Sequence, residues 1–172
     1  NGDEAPLRSD APGVVAGDVI QDLTYPVVPA LAERNAFATT CIAKGKDGRV
    51  WFATYAAVIG YDGKTFTLLD DAACGLDATR GTLHVRAVFE DSAGRVWIGN
   101  NGIGVLLYEN GRVTHFTEAM QLSRMGMHGD RVLPLPSDAP LGAPSMHRVF
   151  SIGEGRDGHM WFGTVEMSAW RY

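Results

Sequence analysis

Cysteine is almost missing from this chain: Cys41 and Cys74 are the only two among 172 residues. Two cysteines exclude a disulfide scaffold, and their spacing fits no zinc site, which needs paired close ligands. A free, buried Cys41 on a strand is the plain expectation. Long apolar runs are also lacking, and no stretch approaches the ~18 residues of a membrane-spanning helix. Positive charge is scarce: 15 Lys and Arg stand against 20 Asp and Glu, a net −5. No basic run appears, whereas a phosphate backbone rewards clustered cations, so nucleic acid is not an expected partner. Familiar catalytic signatures are absent too, with no Gly-x-Ser-x-Gly, no His-Glu-x-x-His and no phosphate loop. Asp47-Gly48 and Asp157-Gly158 lack the alternating oxygen ligands of a calcium loop and read as hairpin turns. His128 and His159 have no second ligand at metal spacing. No metal and no cofactor is called for.

What the chain has is glycine, 21 residues of it, and a repeated phrase. Asp47-Gly48-Arg49-Val50-Trp51-Phe52-Ala53-Thr54 returns as Ala93-Gly94-Arg95-Val96-Trp97-Ile98-Gly99-Asn100. It returns again as Asp157-Gly158-His159-Met160-Trp161-Phe162-Gly163-Thr164. Three of the four tryptophans therefore share one slot, with Gly48, Gly94 and Gly158 in the turn before it. Trp97 follows Trp51 by 46 residues and Trp161 follows Trp97 by 64. The shorter interval is close to the period of about 40–45 residues of a four-stranded propeller blade. The longer one holds an insertion in which Met, Gly and Pro crowd together. Its closely spaced X-Pro steps exclude helix and central strand.

Each unit offers short strands separated by turn signals. In unit one these are Thr40–Ala43, Val50–Ala53, Val58–Tyr61 and Thr65–Leu69. In unit two they are Arg86–Glu90, Arg95–Gly99, Val105–Tyr108 and Val113–Phe116, with Asp91-Ser92-Ala93-Gly94 and Glu109-Asn110-Gly111 as turns. Unit three gives Val149–Ile152, Met160–Gly163 and Ala169–Tyr172. Evenly spaced short strands with an aromatic in each unit predict an all-β fold, a β-propeller of about three four-stranded antiparallel blades. Blade one spans 37–82, blade two 83–117, an insertion loop 118–145 and an incomplete blade three 146–172. Residues 1–36 read as a tether and a possible closing strand. The chain opens at Asn1 rather than Met, and removal of an N-terminal leader is expected. Trp51, Trp97 and Trp161 are all expected to be buried in the wedges between blades, and the small residue two positions later lets the next blade approach. Arg49 and Arg95 are expected to face solvent. The insertion is expected to lie on a propeller face, covering the axis or a partner.

The run from Glu90 through Asp91-Ser92-Ala93-Gly94-Arg95-Val96-Trp97-Ile98-Gly99-Asn100-Asn101-Gly102, on to Leu107-Tyr108-Glu109-Asn110-Gly111 and Phe116-Thr117, resembles the two-component regulator propeller repeat. Ala169-Trp170-Arg171-Tyr172 is similar to its third strand. The resemblance covers about 37–117 and 146–172. It implies a periplasmic or exported, surface-anchored propeller of the kind that senses ligands for two-component regulators. Asp47–Phe52 is also similar to repeats of streptogramin lyase, a metal-dependent propeller enzyme. That second resemblance implies an alternative in which His84, His147 and Glu166 take catalytic roles.

In propellers, ligands sit near the axis, where the first strands converge. Counting back from each tryptophan places His84 with Arg86 in unit two and His147 with Arg148 in unit three. Two such pairs suit an anion, through bidentate guanidinium contacts. Tyr55, Asn100, Asn101 and Glu166 follow the tryptophan strands and suit polar or sugar contacts. The expected function is non-catalytic binding of a small anionic or sugar-like ligand or a protein partner, and the third reading is a purely structural interaction module. Three blades are too few to close a ring, so the expectations are a strand from Gly13–Val28 joining the two ends, a homodimer completing six blades, or a chain that is a fragment of a longer protein.

Overall fold

The computed structural model describes residues 38–120, 125–128, 131–134, 147–165 and 169–172. Blade one is a four-stranded sheet, β1 (Thr39–Lys44), β2 (Val50–Thr54), β3 (Val58–Tyr61) and β4 (Phe66–Leu69), paired in that order. Blade two repeats it with β5 (Val85–Glu90), β6 (Val96–Asn100), β7 (Gly104–Glu109) and β8 (Arg112–His115). Blade three holds β11 (Val149–Glu154), β12 (Met160–Thr164) and β13 (Ala169–Arg171). All neighbours are antiparallel, so the fold is the all-β, blade-built propeller that the repeat predicts. A short helix α1 (Phe116–Ala119) takes over where the last strand of unit two was expected to reach Phe116. Within the insertion lies a two-stranded hairpin of β9 (Met125–His128) and β10 (Arg131–Pro134). The expectations for residues 1–36, and for what the insertion covers, fall outside the described residues.

Strand registers make the three units superimposable. Trp51 pairs with Ala43, Trp97 with Phe89 and Trp161 with Gly153. The turn glycines before them have φ of 79° at Gly48, 84° at Gly94 and 78° at Gly158, a left-handed conformation that glycine adopts without steric cost. Asn110 and Gly111 turn the β7–β8 hairpin with φ of 51° and 78°, as an Asn-Gly turn should.

Packing between blades follows one rule. Trp51 and Trp97 each face the next blade, and Ile98 and Phe162, the residues after Trp97 and Trp161, face the previous one. Trp51 lies in a core with Val85, Val88, Ile98 and Leu106 of blade two. Trp97 lies with Val149, Met160 and Phe162 of blade three, its ring centroid 5.5 Å from that of Phe162 and 5.0 Å from that of Phe116. Gly99 permits this closeness, since a Cβ there would sit 3.0 Å from the Val149 carbonyl oxygen. Trp51 and Trp97 are both fully buried, but Trp161 is 44% exposed. The expectation of three buried tryptophans therefore fails at the third. The register is intact; what differs is that no described blade stands against the Trp161 face.

Two further expectations are corrected. Arg49 and Arg95 do not simply face solvent, because each guanidinium lies over the tryptophan two residues on, at 5.6 Å from Trp51 and 5.2 Å from Trp97. Cys41 is on β1 as expected but only half-buried, packed against the margin of the core between blades one and two. Both cysteines are free thiols. Burial, with Asp70 and Asp71 nearby, pushes the Cys74 thiol up to about 12, which leaves it inert.

Asp91 ties a turn to a tryptophan. Its buried carboxylate accepts hydrogen bonds from the backbone of Ala93 and Arg95, from Arg95 Nε at 2.6 Å and from Trp97 Nε1 at 2.8 Å. Burial alone would push its pKa up; the bonds from Trp97 and Arg95 outweigh that and hold it below the ordinary carboxylate value.

Two outcomes follow from this packing. Trp51→Ala and Trp97→Ala should each cost about 3–5 kcal/mol in urea unfolding, and Trp161→Ala less than about 2 kcal/mol; an equal cost at all three would contradict the exposed third face. Because the folded-state pKa of Asp91 is lowered, its stabilisation is present above the unfolded value of about 3.9 and lost as pH falls through the folded one. Asp91→Asn should therefore lower Tm at neutral pH and flatten the decline of Tm with acid. A parallel decline in both proteins would count against this role.

Candidate ligand site on the inner rim

The first strands β1, β5 and β11 pack side by side and form the inner rim of the arc. Each carries an irregularity at the same point, where pairing skips one residue between Thr39 and Cys41, Val85 and Ala87, and Val149 and Ser151. The skipped residues are Thr40, Arg86 and Phe150. A β-bulge bends its strand and re-aims the extra side chain. Repeated in three blades, it sets three side chains along one rim.

Arg86 occupies the middle position. Its Nη1 donates to the Tyr55 hydroxyl at 3.2 Å, and its guanidinium carbon lies 4.9 Å from the Tyr55 ring and 5.4 Å from the Phe150 ring. It therefore touches blade one and blade three at once. His84 sets its ring edge-on to Tyr55 at 5.8 Å. Thr40 is spent on structure, donating to the carbonyls of Val85 and Ala53. Among the described residues Arg86 forms no ion pair, and its Nε is shielded from solvent without a hydrogen-bond partner. Such a group carries a desolvation cost of about 1–3 kcal/mol.

The other expected site residues are drawn to the same end of the blades by backbone contacts. Asn101 donates its N–H to the His84 carbonyl at 2.9 Å and forms an antiparallel bridge with Arg148. The His147 carbonyl accepts from Gly102 at 2.7 Å and Gly104 at 2.9 Å. His147 also lines a separate open cleft of about 370 Å³ with Arg80, Ile103, His115 and Glu118. There the charges are already matched, Arg80 to Glu118 at 2.7 Å. Asn100 is fully buried, and neither polar atom of its side chain has a partner among the described residues. Its counterpart Thr54 instead closes its own turn, donating to the Ala57 carbonyl and accepting from the Ala56 and Ala57 N–H groups. Glu166 falls outside the described residues.

The count of eleven residues back from each tryptophan reaches Thr40, Arg86 and Phe150 alike, but Phe150 is not among the expected site residues because an apolar side chain gives no sign of a contact there. The signal for it is the bulge, which is a property of strand pairing and leaves no mark in composition. Among the described residues no three His, Cys, Asp or Glu side chains group to hold a metal, and no helix is long and apolar enough to cross a membrane.

No curated protein matches the sequence. Among solved structures, the extracellular domain of a hybrid two-component system from B. thetaiotaomicron is similar at 13% identity, over 79% of this chain and 15% of that one, with a TM-score of 0.46. A second such domain from the same organism is 18% identical over 78% of this chain and 21% of that one, with a TM-score of 0.41. Virginiamycin B lyase from Staphylococcus aureus, solved with quinupristin, is 16% identical over 76% and 39%, with a TM-score of 0.46. This chain thus spans well under half the length of each. The family model described as two component regulator propeller matches residues 33–56, 80–102 and 142–166. Each match takes in the first and second strands of one blade, and the chain carries three repeats of the two-component regulator propeller family.

Proposed function

We propose that this chain is a non-catalytic, exported propeller segment that binds a small anionic ligand at its inner rim, as an input domain of a two-component regulator would. The repeat type supports the sensing role and a place outside the cytoplasm. The observation that carries the ligand class is Arg86, a half-buried cation with no carboxylate partner among the described residues, held between Tyr55 and Phe150. A guanidinium fixed in orientation is suited to planar, bidentate recognition of a carboxylate, and the two rings suit the apolar face of a sugar acid. Arg86 bridges all three blades, so an anion neutralising it would strengthen both blade junctions together. Ligand occupancy would then be read as stiffness of the arc, which is what a receptor needs to pass on. His84 and Asn101, at the mouth of the same strands, are the candidates for contacts to the rest of the ligand.

Thermal shift and calorimetry with glucuronate and galacturonate as probes, and glucose as the neutral control, test this reading. The sugar acids should raise Tm in a saturable way, glucose should not, and Arg86→Gln should weaken binding by at least about tenfold, the scale of one charge-assisted hydrogen bond. Equal binding by Arg86→Gln, or an equal response to glucose, would overturn the assignment of the rim as an anion site.

A further inference from the structure

The cleft of about 370 Å³ beside the turn between β6 and β7 holds charge of both signs, and none of Tyr55, His84, Arg86 and Phe150 lines it. Its volume is that of a small-molecule site. Two of its walls are pinned from behind. Arg80 leaves a tight turn in which the Asp77 carboxylate accepts from the N–H groups of Thr79 and Arg80, at 2.8 and 3.0 Å, and from the Thr79 hydroxyl at 2.6 Å. Gly81 follows with φ of 97°, and a Cβ there would sit 3.1 Å from Ile103 Cγ2, so the turn lies close against this apolar residue of the lining. On the other wall His115, the last residue of β8, is fixed through its ring, with Nε2 at 2.7 Å from the Cys74 carbonyl oxygen. A carbonyl only accepts, so Nε2 carries a proton and Nδ1 of the neutral ring presents a lone pair.

His115 Nδ1 stands 3.7 Å from Glu118 Oε2, which is on α1 three residues further along the chain. The separation is too long for a hydrogen bond, and both atoms are acceptors. A single ammonium set between them has N–H bonds enough to satisfy both. Glu118 Oε2 also accepts from Arg80 Nη2 at 2.7 Å, with the two side chains 65% and 46% exposed. An ion pair so exposed adds little to stability, and its charges can turn to a ligand at small cost. Oε1 of Glu118 has no partner among the described residues. The cleft therefore sets two acceptors for a cation directly beside a guanidinium for an anion.

We infer that this cleft binds a free α-amino acid with an apolar side chain. The ammonium donates to His115 Nδ1 and Glu118, the carboxylate pairs with Arg80, and the side chain lies against Ile103. The short spacing of the protein's charges selects the class. In an α-amino acid both charged groups hang from one carbon, whereas in a peptide or an ω-amino acid several bonds separate them. A lone anion would meet the Glu118 carboxylate and a lone cation the Arg80 guanidinium, so each brings a repulsion that the zwitterion avoids. This site is additional to the anion site at Arg86 and does not depend on it.

Calorimetry of the purified chain with L-valine tests the inference. Binding should be saturable. It should be at least about tenfold tighter than that of 5-aminopentanoate, the isomer with its charges at opposite ends, and of isobutyrate, which lacks the ammonium. Glu118→Gln keeps the shape of an exposed side chain and removes its charge; it should weaken L-valine by at least about tenfold, as should Arg80→Gln. Arg86→Gln should leave L-valine binding unchanged, which separates a failure here from a failure of the rim assignment. In the unaltered chain the NMR signal of His115 Nδ1 should move on addition of L-valine, a local readout that no folding defect of a variant can imitate. An unmoved Nδ1 signal or no saturable binding of L-valine at millimolar concentration overturns the inference. So does equal binding of 5-aminopentanoate or isobutyrate, equal binding by Glu118→Gln, or loss of binding in a folded Arg86→Gln protein.

Discussion

The structure depends on one packing event, a tryptophan ring entering the wedge between two sheets with its N–H satisfied by a carboxylate. A blade is a small twisted sheet with two apolar faces, and alone it buries neither. Trp51 and Trp97 supply the bulk that fills the gap, and Glu90 and Asp91 accept from their indole nitrogens, so neither indole donor is left unpaired. The two capping routes are chemically equivalent but differ in consequence. A carboxylate from the blade's own turn makes the wedge self-sufficient. A carboxylate from the neighbour makes it a recognition event, because the ring is satisfied only when the right blade is beside it.

The same geometry that stacks the blades makes the rim. First strands of successive blades run side by side, and a bulge at one register in each sets Thr40, Arg86 and Phe150 in a row. The threonine is absorbed by hydrogen bonds to backbone carbonyls, whereas the arginine and phenylalanine are not. The site proposed here is an unequal triplet on an equal scaffold, and a repeat architecture can vary such a triplet without disturbing the residues that fold it.

Much of this was legible from the chain. The strand positions followed from turn residues and alternation, since Asp-x-x-Gly and Asn-Gly permit few other backbones. The equivalence of the three tryptophans followed from spacing. His84 and Arg86 were found by counting back from the tryptophan, because an inner strand must precede it by a fixed number of residues. The count carried no information about direction. Arg49 and Arg95 read as surface cations and turned out to lie over indole rings, a contact set by side-chain packing that no periodicity records.

By itself the sequence determined the repeat, the strands and the slots, because these rest on local backbone preference and the pattern of apolar residues. Only the tertiary structure decided which slots are filled. Trp51, Trp97 and Trp161 are indistinguishable as letters, yet two are sealed and one is half exposed, since burial belongs to the neighbouring blade and not to the residue. Gly45 and Asp91 stand at one position counted from their tryptophans, and only the structure shows that Gly45 leaves room for the Glu90 carboxylate beside the Trp51 indole nitrogen whereas Asp91 provides its own.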